Sequence, residues 1–535
     1  MHRKISVSML CVFILMSGQE ALSSVKLPRL VGDGMVLQRD TDVRLWGWAT
    51  PGERVSIRFL GKSFETTTNT DSGWAIVLSP MKAGGPYSME IDGANHIVLN
   101  DILIGDVWVC SGQSNMELPM QRVKPRYEEV IAHADNPRIR QFLVAHRYDF
   151  LAPRHDLPYG QWEPANPWSV LRFTAAGFFF ARSLWGKYHV PIGLINASVG
   201  GTPIQSWMSR DALREFPAEI RRGEEFGDPA YLDSVRHRND SVRNSWYDNV
   251  WKEDKGIDGP MPWFDPAYDA SSWPEMKVPG YWADEGAGNT NGVVWFRRTF
   301  TVPPSLAGKP AQLLMGRIVD GDYEYINGVF VGSVSYQYPP RRYTVAPGIL
   351  KAGTNVIVAR VISESGRGGF IMDKPYELNI EGHKIELAGT WKYLVGTTAD
   401  PLPGPTVIEY QPMGYFNGMI APLLKANIKG VIWYQGESNA GSPAGYGDMF
   451  AAMITDWREK WGEGNFPFLF VQLPNYGEAI AYPSESGMAA VREAQRHALA
   501  LPNTGMAVTI DIGEWNDIHP LDKGDVGKRL ALAAD

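Results

Sequence analysis

Val107-Trp-Val-Cys-Ser-Gly-Gln-Ser-Asn-Met116 is the stretch on which the reading of this chain turns. Val107 to Cys110 form a continuous apolar run, as expected of a short strand covered on both faces. Ser111-Gly112-Gln113 breaks the run, and Ser114-Asn115-Met116-Glu117 opens a helical pattern. A serine between the carboxyl end of a central strand and a helix N-terminus sits where open α/β sheets bind ligands. The same cluster also suits an ordinary turn or a helix N-cap, so the rest of the chain must decide.

Runs of the same kind recur at Ile192–Asn196, Val431–Tyr434, Phe468–Leu473 and Ala507–Ile512. Between them, Ala175–Tyr188, Met449–Trp461 and Met488–Leu499 carry apolar residues at three- and four-residue spacings, a helical period. The alternation predicts a doubly wound α/β domain with a parallel sheet, over residues 101–240 and 401–535. Residues 25–100 read instead as a small β-sandwich, with alternating runs such as Val55-Ser-Ile-Arg-Phe59 between Gly, Asn, Asp and Pro turns. Residues 241–400 return to β texture. Asn327-Gly328 between Tyr323–Ile326 and Val329–Val331 is a hairpin signal. We read this region as a second β-sandwich inserted into a surface connection of the α/β domain. Six Trp fall between Trp246 and Trp295, and most are expected in its core.

Residues 1–24 form a secretory signal pattern: basic His2-Arg3-Lys4, an apolar run from Ile5 to Met16, then small residues to Ser24. The run is too short to span a bilayer. Cys11 lies in this signal, so Cys110 is left alone after cleavage and no intrachain disulfide is expected. A secreted or periplasmic bacterial protein fits that composition. The net charge of −8 argues against non-specific binding to nucleic acid or anionic membrane. Ala531–Asp535 lies inside a helical pattern with no cap, so a further segment is expected beyond it.

Four polar, Gly-rich loops follow the α/β strands, and a parallel sheet would gather them on one edge. They are the Ser114 loop, Ala197-Ser-Val-Gly-Gly-Thr202, Gln435-Gly-Glu-Ser-Asn439 and Gly513-Glu-Trp-Asn-Asp-Ile-His-Pro520. Together they could perform acyl transfer. Ser114 needs a base to take its proton, and His519 is the candidate, with Asp517 the nearest carboxylate to orient the imidazole. Gly200 or Gly201, the Asn439 amide and the Ser114 N–H could donate to an oxyanion. Gln113, Gln435 and Glu437 are candidates for contact with substrate. Each has a plainer reading: a surface turn at His519-Pro520, a tight turn at Gly200-Gly201, a capping box in Gln435–Asn439, a structural acceptor in Glu437. No residues show metal-ligand spacing, and no cofactor is expected.

Gly112-Gln-Ser-Asn-Met116, Trp433-Tyr-Gln-Gly-Glu-Ser-Asn439 and Asp517-Ile-His-Pro520 together resemble the SGNH/GDSL hydrolases, in the sialate O-acetylesterase branch. Related bacterial enzymes of that branch deacetylate plant polysaccharides, xyloglucan included. The resemblance implies a flavodoxin-like SGNH sheet. It also implies Ser114 as nucleophile, His519 as base, and Asn439 with a Gly of Ser198–Gly201 as oxyanion donors. It further implies a sugar-binding jelly roll in the insert and an acetylated oligo- or polysaccharide as substrate. The chain departs from the superfamily at one point: the Asp three residues before the histidine is here Asn516. Either Asp517 serves from a shifted loop, or a Ser–His dyad uses another acceptor. The competing reading is a non-catalytic sugar-binding protein built on the Trp-rich insert. Glycoside hydrolysis would need two carboxylates flanking one bond, which these loops do not present.

Overall fold

The computed structural model describes residues 24–535, so the signal pattern of residues 1–24 falls outside it except for Ser24. The organising element is one strand of 17 residues, β1 (His96–Gly112). Its first half pairs antiparallel with Gly84–Asp92 and its middle runs parallel to Val36–Gln38, both in the N-terminal β unit. Its second half lies in the centre of the α/β sheet. The expected boundary at 100/101 therefore falls inside a continuous strand. Asn100 and Asp101 look like a break in sequence because they form a bulge: Asp101 takes a left-handed φ of 58° and the pairing with Gly84–Asp92 shifts register there, yet the strand runs on beyond them. As a result, the two units share one hydrophobic core, from Val43 and Ile57 through Val109 to Phe468.

The other strands of the central sheet are β2 (Asn136–Leu143), β3 (Trp162–Ala165), β4 (Ile192–Ser198), β5 (Gly430–Tyr434), β6 (Phe468–Val471) and β7 (Thr504–Ala507). Their order is β7-β6-β5-β1-β4-β2-β3. All pairs are parallel except the edge pair β2–β3. Trp108 of β1 packs edge-on against Phe180 of the helix Ala175–Tyr188. Trp433 of β5, level with Ser111, points to the opposite face and packs on Phe450 and Trp457 of the helix Tyr446–Trp461. Helices thus cover both faces, and the strands read as unbroken apolar runs for that reason. The last strand lies ahead of its expected place at Ala507–Ile512 and shares only Ala507 with it. Only Thr504–Ala507 pair, and Val508 and Ile510 beyond them are exposed as the chain leaves the sheet edge.

The insert begins later than its expected start at 241, because a long helix (Pro229–Lys252) runs through that point. Only Val235 and Val250 on it are buried, too few to mark a helical stripe in sequence. Beyond it lie a six-stranded sheet, built around Asn291–Val302 and Gly353–Ser363, and a four-stranded sheet centred on Ala311–Met315 and Tyr376–Ile380. They enclose a core of their own. The Asn327-Gly328 turn joins Gly321–Ile326 to Val329–Val334 as expected. Trp263, Trp273, Trp282 and Trp295 are buried, so most of the tryptophan cluster is core.

Candidate active site

At the carboxyl edge of the sheet, β1 ends on Gly112, whose positive φ (131°) carries the chain close against β5. A Cβ there would lie 2.2 Å from the Tyr434 carbonyl oxygen, so glycine is required. Gln113 N–H then donates to the same carbonyl (2.9 Å), and one helical turn, Ser114–Glu117, follows. Ser114 heads this turn, so its N–H has no intrahelical partner. Its hydroxyl faces a cleft of about 710 Å³ that is also bordered by Gln113, Gly200, Gly201, Glu437 and His519. The sheet has brought the loops after β1, β4, β5 and β7 to one place.

The residue after the serine joins these loops. Asn115 is fully buried; its Nδ2 donates to Glu437 Oε1 (2.6 Å) and to the Ile518 carbonyl (2.8 Å). Its Oδ1 accepts from Lys523 Nζ (2.7 Å), which also donates to the Pro520 carbonyl (2.7 Å). Burial pushes the Glu437 carboxyl up, against the pull of Asn115 and Lys523. Burial also pushes the Lys523 ammonium down to about 8, with Glu437 opposing. Sequence reading missed Asn115 and Lys523, although Asn115 stood inside the quoted motif.

Several expected roles change. Asp517 does not hold the imidazole. Its Oδ1 accepts the backbone N–H of His519 (3.0 Å), and the carboxylate pairs with Arg317 (3.3 Å) and Lys374 (3.5 Å) from the insert. A carboxylate two residues before the histidine turns back on the loop's own backbone, as Asx turns do. His519 Nδ1 is buried with no hydrogen-bond partner among the described residues. The ring lies edge-on to Tyr338 of the insert, 5.7 Å between centroids. Burial, then the Lys523, Arg122 and Arg317 cations, push its pKa down to about 3.

Asn439 is not placed as an oxyanion donor either. Its Nδ2 donates to Gln205 Oε1 (3.1 Å), and its Oδ1 accepts from Ile204 N–H (3.0 Å) and Gln435 Nε2 (2.8 Å). It borders a neighbouring cleft, not the one that holds Ser114. Gln435 is likewise a buried brace, between Thr202, Asn439 and Tyr446, away from the Ser114 cleft. Gln113 borders the cleft while its Oε1 ties down the Gly436 and Ser438 N–H groups (3.1 and 3.3 Å). Gly200 backs onto Ser114; a Cβ there would lie 3.4 Å from Ser114 Cβ. Its N–H is engaged by Glu117 Oε2 (2.5 Å), whose other oxygen is 3.3 Å from His146 Nε2. Gly201 has φ 76°, and a Cβ there would meet the Tyr410 hydroxyl at 1.9 Å.

Glu117, Arg122, Tyr336, Tyr338 and Tyr410 also line the cleft and were not anticipated. Two of these, Tyr336 and Tyr338, come from the insert. The insert also grips the loop that carries His519: Arg317 Nη1 donates to the Asn516 carbonyl (2.8 Å), Lys374 pairs with Glu514 (2.8 Å), and Asn516 Nδ2 donates to the Met372 carbonyl (2.7 Å).

The pattern of a carbohydrate esterase family, the sialic acid-specific acetylesterases, matches residues 104–234 and 404–534. The resemblance to sialate O-acetylesterases holds. The two matched segments flank the insert, and the insert with its leading helix (229–394) matches the sugar binding domain of glycosyl hydrolases family 2. Sialate O-acetylesterase of Homo sapiens is 28% identical over 563 residues, covering 97% of this chain and 72% of that protein. The Mus musculus protein of the same name is 25% identical, with 94% and 71% covered. A carbohydrate acetylesterase from Xanthomonas citri superposes with a TM-score of 0.57 at 26% identity, covering 96% of this chain and 74% of that one. The family that matches on both sides of the insert is one of carbohydrate esterases.

Proposed function

We propose that this protein is an exported carbohydrate O-acetylesterase that works through a serine acyl-enzyme on an SGNH-type, doubly wound sheet. The observation that carries this reading is the common cleft of Ser114 and His519, built from loops that are far apart in sequence. In the proposed reaction, Ser114 Oγ attacks the acetyl carbonyl while His519 takes the hydroxyl proton. His519 returns that proton to the sugar oxygen as the alcohol leaves. Water, deprotonated by the same histidine, then attacks the acetyl-serine, releases acetate and restores the hydroxyl.

The unpaired Ser114 N–H is the first oxyanion donor. Gly200 N–H is the second, once substrate displaces the Glu117 carboxylate from it. Because Asp517 is engaged elsewhere, the reading is a Ser–His dyad whose imidazole is set by its loop and by Tyr338. Export rests on the pattern of residues 1–24. The test is acetate release, and hydrolysis of 4-nitrophenyl acetate, by the wild type and by Ser114→Ala. Loss of both activities in the variant, with wild-type Ser114 labelled by a serine-directed phosphonate, is expected. Undiminished hydrolysis by Ser114→Ala would overturn the mechanism.

A further inference from the structure

A second cleft, of about 420 Å³, adjoins the one that holds Ser114. The two share Gly201, Tyr410 and Ser438, and each is within the range of about 300–1,000 Å³ that encloses a small ligand. The shared residues form a built ridge. Tyr410 packs so tightly on Gly201 that no side chain could stand there, and Ser438 Oγ donates to the Gly201 carbonyl (2.7 Å). Ser206 Oγ donates to the Tyr410 carbonyl (2.7 Å), which fixes the tyrosine from behind. Gly201 is therefore explained by the ridge rather than by the oxyanion.

Beyond the ridge the lining suits sugar hydroxyls. Arg222 is held by Gln411 Oε1 on its Nε (2.7 Å), which leaves both Nη groups without a protein partner among the described residues. The Glu219 carboxylate and the Ser442 hydroxyl border the same space, also without a hydrogen-bond partner there. A guanidinium, a carboxylate and hydroxyls around an aromatic ridge supply donors and acceptors in the mixture that a polyhydroxylated ring needs.

We propose that this second cleft is a subsite for the neighbouring sugar of a glycan chain, so that the substrate is an acetylated oligo- or polysaccharide rather than a free monosaccharide. The acetylated residue lies at Ser114 and the chain passes over Tyr410. This inference rests on the esterase reading above.

The test compares kcat/KM on partially acetylated monosaccharide and oligosaccharide from three backbones: xylose and xylotetraose, glucose and cellotetraose, sialic acid and sialyllactose. The wild type should prefer the oligosaccharide about tenfold or more on at least one backbone, the worth of one or two charge-assisted hydrogen bonds. Arg222→Ala, and separately Ser442→Trp, which fills the cleft from an exposed position, should erase that preference and leave 4-nitrophenyl acetate hydrolysis unchanged. Equal kcat/KM for the short and long members of all three pairs would overturn the subsite. So would a preference that survives both variants. Failure of the esterase reading shows up separately, as Ser114-independent hydrolysis of 4-nitrophenyl acetate.

Discussion

Ser114 and His519 face one cleft, yet they are held in opposite ways. The serine stands just past the end of the central strand, locked by the Gln113–Tyr434 backbone bond and the buried Asn115. The histidine stands on a loop that follows the edge strand, and the insert grips that loop through Arg317, Met372 and Lys374. A nucleophile fixed by the sheet needs no outside help. A base on an edge loop does, and here the insert adds to the hold that Asn115 and Lys523 have on the Ile518 and Pro520 carbonyls.

The widest test of this contrast removes each partner in turn. Ser114→Ala and His519→Ala should each lower kcat on an acetyl ester by about 10⁴–10⁶, as in other serine hydrolases. A His519 variant with near wild-type kcat would remove one side of the comparison. Next comes the grip itself. Arg317→Met breaks a buried ion pair and should destabilise the fold by about 3–5 kcal/mol, read by denaturant titration. Lys374→Met is milder, and should lower kcat about tenfold with KM little changed. If Lys374→Met leaves kcat intact while Asn115→Ala abolishes activity, the insert is not what positions the base.

Asp517→Ala separates the two readings of that carboxylate. An orienting triad member would be worth about 10⁴ in kcat. A loop brace should be worth only about ten- to a hundredfold, measured under saturating substrate. The smallest expected effect is on pH. The base must be neutral, and its pKa is held well below the usual 6.5, so kcat/KM should persist as pH falls below 6. Lys523→Met removes the strongest of the cations that depress it, so the acid limb should move up toward ordinary histidine values. An unmoved limb would mean that the ring is set by something other than these charges.

The serine half was legible in sequence, because a strand buried on both faces announces itself as an unbroken apolar run and β4 and β5 did the same. The backward extension of β1 through Asn100 and Asp101 was hidden, since a bulge of two exposed polar residues reads as a loop. Asp517 and Asn439 matched expected residue types, but residue type does not fix where a side chain spends its hydrogen bonds. Asn439 spends them on Gln205, Ile204 and Gln435. Arg317 and Lys374 carried no signal at all: their partners lie across a domain boundary, and an isolated Arg or Lys reads as surface charge. Arg122 likewise reads as surface charge, and Tyr410 was silent because its place against Gly201 depends on the fold.

The shared strand β1 makes the two β units unequal as heritable parts. The insert keeps its own core and is joined to the α/β unit by side-chain contacts, those of Arg317, Tyr338 and Lys374 with the His519 loop among them. The N-terminal unit is joined by the chain itself. Its strand His96–Gly112 runs on into the middle of the sheet and stops two residues short of Ser114, so recombination at that joint would cut the nucleophile's own support.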